Sequence, residues 1–178
     1  MKTETPQTIY LKDYTAPAYL VDTVDLDISI ETSATTVTAT LSMRRNPEVA
    51  AQPLVLDGDE LETQSVTVNG EKAVFFATPN TLTIEQLPDT FTLQTVVHIN
   101  PDKNTRLSGM YRSKDGYFTQ CEAQGFRRIT WFLDRPDVMS TYTVTLHADK
   151  SAMPILLANG NPVAAGEEPN GRHWARWA

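Results

Sequence analysis

Residues 24–31 read VDLDISIE. Val24, Leu26, Ile28 and Ile30 alternate with Asp25, Asp27, Ser29 and Glu31, a period of two. Successive side chains of a strand point to opposite faces, so this pattern predicts a half-buried strand with its apolar row turned inward. The same alternation recurs in Val37, Ala39, Leu41 and Met43, in Phe91, Leu93, Val97 and Ile99, and in Tyr142, Val144, Leu146 and Ala148. Threonine fills many outward positions, where its β-branch favours extended backbone.

Turn chemistry separates these runs. Val66, Thr67 and Val68 lead into Asn69-Gly70 and then into residues 73–76. Asn-Gly between apolar runs is a strong hairpin signal, because both residues tolerate positive φ. Asp57-Gly58, Pro79-Asn80, Pro88-Asp89, Asp115-Gly116 and Asn159-Gly160 mark further breaks. Asn46-Pro47 opens a polar connecting loop that closes near Gln52. Residues 142–148, 155–158, 163–167 and 173–177 read as a terminal meander. In all, about ten to thirteen strand candidates follow one another at the spacing of sandwiches and barrels. No window sustains a 3.6-residue period; a short helix fits only residues 124–133, ahead of Pro136. The expected fold is all-β, an antiparallel sandwich or saddle-like multi-stranded sheet with at most one short helix.

The totals bound the partners. The chain has 178 residues, of which 40% are hydrophobic, enough for one compact unit with a core. A net charge of -7 leaves no basic footprint for nucleic acid. No apolar stretch approaches the ~20 residues of a membrane span, and MKTETPQTIY at residues 1–10 lacks the apolar centre of a signal peptide. Cys121 is the single cysteine, so no intrachain disulfide is possible. These points predict a cytoplasmic protein without a nucleic-acid or membrane partner.

Residues 107–138, LSGMYRSKDGYFTQCEAQGFRRITWFLDRPDV, depart from the alternation. They are rich in Gly, aromatics and Arg. Gln120 and Glu122 share strand parity if the strand runs on through Cys121, so both would face one side. An amide beside a carboxylate suits a cation such as an amine. The residues leave a second reading open, in which Glu122 pairs with Arg127 or Arg128. Arg127, Arg128, Asp134 and Arg135 surround Ile129, Trp131 and Phe132, which reads as a structural ion network. Asp57, Asp59 and Glu60 read as loop solvation.

The chain resembles the N-terminal domain of bacterial aminopeptidase N, the alanyl aminopeptidase branch of the zinc metallopeptidases. The likeness rests on LSGMYRS (107–113), TQCEAQGFRRITWFLDRPDV (119–138), LLANGNPV (156–163) and NGRHWARW (170–177). It covers essentially the whole chain, with Lys12-Asp13-Tyr14 and Ala16-Pro17 also similar. The family reads Thr-Gln, an aromatic or Cys, Glu, then Arg-Arg, an aromatic, Asp and Pro. Those positions here are Thr119, Gln120, Cys121, Glu122, Arg127, Arg128, Trp131, Asp134 and Pro136.

The resemblance implies that residues 1–178 form a β-rich domain that packs on a thermolysin-like catalytic domain. It implies zinc in the parent enzyme, held by a His-Glu-x-x-His motif that this chain does not contain. His98, His147 and His173 have no such spacing, so no metal ligand and no catalytic residue is expected here. The resemblance assigns Gln120 and Glu122 to substrate binding, with Glu122 holding the free amino group of a peptide N-terminus. Cys121, of opposite parity, is expected to be a packed residue. The chain ends at Trp177-Ala178 within a strand pattern, which predicts an edge or apolar face covered by the next domain. A stand-alone β-sandwich binding module, a non-catalytic scaffold relative and a two-carboxylate glycosidase are the rival readings.

Overall fold

The structure is a computed structural model that describes residue 8, residues 10–31 and residues 34–178. Of the ten residues read for a targeting segment, Thr8 and Tyr10 are described and the others lie outside the described residues. Thirteen strands run through the described residues in chain order. They are β1 (Tyr19–Ser29), β2 (Thr35–Arg45), β3 (Leu54–Asp57), β4 (Glu62–Val68) and β5 (Glu71–Lys72), then β6 (Phe76–Ala77), β7 (Thr81–Ile84) and β8 (Thr90–Ile99). β9 (Gly109–Ser113), β10 (Gly116–Gln120), β11 (Thr141–Asp149), β12 (Pro162–Glu167) and β13 (Arg172–Trp177) complete the set. The helical content among the described residues is four single 3-10 turns. One of them, Phe126–Arg128, is what the expected helix at 124–133 amounts to.

Eight strands make one sheet in the order β12-β13-β11-β1-β2-β8-β4-β5. The alternating runs meet in register across its centre: Val24 faces Leu41 and Leu41 faces Leu93, while Ile28 faces Val37 and Val37 faces Val97. Each row puts its apolar side chains on the same face, and that face is the core. A bulge between Val21 and Thr23 resets the parity, so Val21 and Val24 are both buried while Asp22 reaches Arg44 at 3.0 Å. The Asn69-Gly70 turn has φ of 51° and 83° and joins β4 to β5, with Val68 opposite Glu71.

A second layer closes the core. β3, β7 and β6 form a three-stranded sheet that contributes Leu54, Leu56, Leu82 and Ile84. Beside it lies the irregular segment 125–134, which buries Ile129, Trp131 and Phe132. That segment is joined to both layers. Thr130 and the β8 residue Thr95 share a buried hydroxyl contact of 3.1 Å, Trp131 Nε1 donates to Thr63 Oγ1 at 2.8 Å, and Asp57 exchanges backbone hydrogen bonds with Phe132.

The structure differs from the sequence reading in the face of β11, where Tyr142 is exposed and Thr145, of opposite parity, is buried, and in how several strands pair. β1 and β11 run parallel, the one parallel pair among the described residues in an otherwise antiparallel set. A parallel pair needs a long crossover, and here everything from β2 to the segment 125–134 supplies it. The terminal strands do not meander, because β13 lies between β11 and β12. Residues 155–158 alternate like a strand, with Leu156 buried and Ile155 and Leu157 exposed, yet pair with nothing. Both edges of β11 are already taken, by β1 and β13. Finally, the run 73–76 enters no long strand. The chain leaves β5 after two residues and crosses to the small sheet, leaving Val74 and Phe76 exposed.

Leu41, fully buried between Val24 and Leu93, tests this arrangement. Leu41→Ala is expected to lower the unfolding free energy by about 2–5 kcal/mol through lost burial and a residual cavity. Urea denaturation would read this as a lower midpoint with an unchanged slope.

Candidate functional site

The segment 107–138 begins with the β9–β10 hairpin. Gln120 is the last residue of β10 and pairs with Gly109 at the start of β9. The strand stops there. Cys121 and the turn 122–125 follow, so Glu122 stands on a turn and not at a strand position of equal parity with Gln120. The two residues are nevertheless neighbours: the Gln120 side-chain amide donates to the Glu122 main-chain carbonyl at 3.3 Å. Both are exposed. The turn closes with the Gly125 N–H donating to the Cys121 carbonyl at 2.6 Å.

Two glycines let the turn sit this close. Gly109 has φ of 72°, and a Cβ there would come within 2.5 Å of Arg128 Cβ. A Cβ on Gly125 would approach the Gln120 carbonyl oxygen to 2.5 Å and Ser108 Oγ to 2.9 Å. Neither space accepts a side chain without moving backbone.

The arginines that could have neutralised Glu122 are engaged elsewhere. Arg127 Nε lies 2.7 Å from Asp134 Oδ2, and the same oxygen accepts the Arg127 backbone N–H at 3.1 Å. Arg127 also reaches Asp57 at 3.6 Å. Arg128 is 5% exposed in its side chain and pairs with Asp59 at 2.5 Å and Glu60 at 2.6 Å. Its Nε donates to the Ser108 carbonyl at 3.1 Å. Arg135 turns to Asp137 at 2.6 Å and donates to the Thr15 carbonyl at 2.7 Å. That guanidinium holds the Asp137 carboxyl below the usual carboxylate range. Among the described residues the Glu122 carboxylate has no ion pair.

Asp57, Asp59 and Glu60 are therefore not loop solvation. They are counter-charges for Arg127, Arg128 and Arg106, and the sequence reading missed them. Partners 68 and 69 positions away leave no local spacing to detect. The available signal was chemical: two arginines set among Ile129, Trp131 and Phe132 require acidic partners from somewhere. Asn104 was missed too, although its partners are only 4 and 6 positions away, because an asparagine before a loop carries no sign of which carbonyls it will meet. Its amide donates to the carbonyls of Ser108 and Met110, at 2.8 Å each, and braces the start of β9.

The histidines are apart. His147 lies between Glu168 at 2.6 Å and Asp27 at 3.1 Å, on opposite ring nitrogens. His173 Nε2 contacts the Met153 carbonyl, and His98 is on β8. No three His, Cys, Asp or Glu residues converge on a point that would hold a metal ion, among the described residues. Zinc ligands must surround one centre, and among the described residues His98, His147 and His173 share none.

This constellation, an exposed carboxylate and amide on a glycine-closed turn behind a buried arginine, lies wholly within residues that match a known family. Residues 19–178 match the description Peptidase M1 N-terminal domain. The chain belongs to that family. The M1 N-terminal domain is 44% identical over 176 residues to Aminopeptidase N of Escherichia coli (strain K12), covering 98% of this chain and 20% of the relative. It is 42% identical over 181 residues to Aminopeptidase N of Caulobacter vibrioides, covering 100% of this chain and 21% of that protein. The M1 N-terminal domain thus spans about a fifth of the length of these relatives. Its fold is similar to a Legionella pneumophila aminopeptidase A solved in complex with aspartic acid, with a TM-score of 0.88 at 30% identity, over 94% of this chain and 20% of that one.

Cys121 carries a local expectation. It is half-buried against the core, and burial, with Asp134 and Glu122 adding to it, pushes its thiol from 9.0 to about 11. The neutral thiol is favoured in the folded protein. Its contribution to stability is present below the ordinary thiol pKa and is lost as pH rises through the folded value. At pH 8 alkylation of Cys121 by iodoacetamide is expected to run about a hundredfold slower than that of an unperturbed cysteine, following thiolate fraction. Intact-mass spectrometry over time would measure it.

Proposed function

We propose that this chain is the substrate-anchoring N-terminal domain of a zinc aminopeptidase that removes amino-terminal residues from peptides. In this reading Glu122 and Gln120 hold the free α-ammonium of the peptide. The observation that carries it is the state of the Glu122 carboxylate: exposed, beside Gln120, and left without a cation although Arg127 and Arg128 are close in sequence. An ammonium has three donors, and a fixed carboxylate gives it a short charge-assisted bond. The Gln120 amide is spent on the Glu122 carbonyl, which leaves its side-chain oxygen as a further acceptor. A peptide without a free amine would leave the carboxylate unpaired, so the site favours cleavage from the amino end.

Membership of a peptidase family supports the reaction class, and the curated relatives support its exopeptidase form. The Legionella protein was solved with aspartic acid, itself an α-amino acid. Zinc and its ligands are assigned to the part of the protein outside this chain. There, by resemblance, the metal would polarise the peptide carbonyl and activate water. What these residues contribute is binding and orientation of the amino end. The partner of this domain is then the catalytic domain of the same polypeptide, and the enzyme works in the cytoplasm. A single cysteine suits a reducing compartment, which supports that setting.

In the full-length enzyme Glu122→Gln is expected to lower kcat/KM on an alanyl substrate by the worth of one charged hydrogen bond, about 1.5–3 kcal/mol. Steady-state kinetics would measure it, and an unchanged kcat/KM would remove Glu122 from the site. The 178-residue chain alone is expected to hydrolyse nothing even with zinc added. Turnover that stayed with it through successive columns would contradict the assignment of catalysis to another domain.

A further inference from the structure

The turn that carries Glu122 rests on one side chain. Arg128 reaches both of its supports. Its guanidinium binds the Ser108 carbonyl, one residue before Gly109, and Gly109 is the strand partner of Gln120. Its aliphatic stem lies against the bare Cα of Gly109. Its own backbone N–H donates to the Gly125 carbonyl at 3.1 Å, at the closing residue of the turn. Gly125 in turn packs on the Gln120 carbonyl. Arg128, Gly109, Gln120 and Gly125 therefore form a closed ring of contacts around the Gln120–Glu122 step.

The guanidinium is itself fixed from the other side. Asp59 and Glu60 take one terminal nitrogen each, and the Asn104 side-chain oxygen lies 3.4 Å from the nitrogen that Glu60 binds. The Asp59 N–H donates to the Arg127 carbonyl at 2.9 Å, so the acidic loop is held to the same segment by main chain as well. A planar fork with separate donors can serve Ser108, Asp59 and Glu60 together; a lysine ammonium is a single point and cannot span them.

We propose that Arg128 is a positioning residue for recognition of the peptide amino end, with Asp59 and Glu60 holding it in place. It sets where the Glu122 carboxylate stands and acts on the substrate only through Gln120 and Glu122. The proposal rests on the reading of those two residues given above. A general stabilising ion pair would affect the whole fold evenly. Arg128 instead joins the strand end and the turn that bear the anchor, so its loss shifts the anchor against the rest of the site. Displacement by about 1 Å in a substrate-holding group is worth on the order of a hundredfold in rate when complete, so a partial shift is readable.

The test uses the full-length enzyme in four forms: wild type, Arg128→Lys, Glu122→Gln and the double variant, assayed on alanine p-nitroanilide. Arg128→Lys is expected to raise KM about tenfold with kcat little changed, the pattern of a binding contact present in ground and transition states alike. In the Glu122→Gln background the same substitution is expected to cost less than about threefold, because residues acting through one contact are not additive. An unchanged KM in Arg128→Lys overturns the proposal. So does a full tenfold loss on top of Glu122→Gln, which is the additive result of a structural role. If Glu122→Gln is itself silent, the anchor reading and this proposal fall together; a costly Glu122→Gln with additive Arg128→Lys removes this proposal alone. Should Arg128→Lys not fold, Asp59→Asn replaces it, with an expected KM rise of about threefold that disappears in the Glu122→Gln background.

Discussion

A guanidinium with 5% of its side chain open to water sits behind the candidate site, and much of the local structure follows from its needs. A buried charge without partners is too costly to keep, so Arg128 must be met by acceptors from several elements. Asp59 and Glu60 come from the loop between β3 and β4, and the Ser108 carbonyl comes from the entry to β9. These segments are far apart in the chain. One side chain therefore ties the small sheet, the hairpin and the irregular segment 125–134 together at the place where Gln120 and Glu122 are presented.

The same arrangement explains why a carboxylate can stay open among basic residues. Arg127 is absorbed by Asp134 and Asp57, Arg128 by Asp59 and Glu60, and Arg135 by Asp137. With each guanidinium committed, Glu122 keeps its charge available on the surface. Glycine completes the design. At Gly109 and Gly125 the backbones of hairpin, turn and arginine segment approach to distances at which a Cβ would collide. The anchor is thus built by close main-chain packing and held by ion pairs, on a sheet whose regular inner face supplies the bulk of the core.

The alternating runs were legible because a strand's burial pattern is local: Val24 to Ile30, Val37 to Met43 and Phe91 to Ile99 all turned the expected faces inward. Asn69-Gly70 was legible for the same reason, since positive φ at both residues is a property of the two residues themselves. The segment 107–138 stood out by composition, and its motif pointed to Gln120 and Glu122. Strand order was not legible. The parallel β1–β11 pair and the placement of β13 between β11 and β12 depend on which sheet edge is free when the chain returns. The strand-like pattern at 155–158 found no edge to join.

What the amino-acid sequence determined by itself is the all-β character, the inward faces, the tight turn and the family motif, each encoded within a few consecutive residues. What only the tertiary structure decided is which charges meet. Asp59 and Glu60 read as solvated loop residues until folding brought them onto Arg128, and the fate of Glu122 turned on that pairing. Electrostatic partners are chosen by distance in space after the chain has packed, whereas side-chain alternation is set by the geometry of the strand in which it lies.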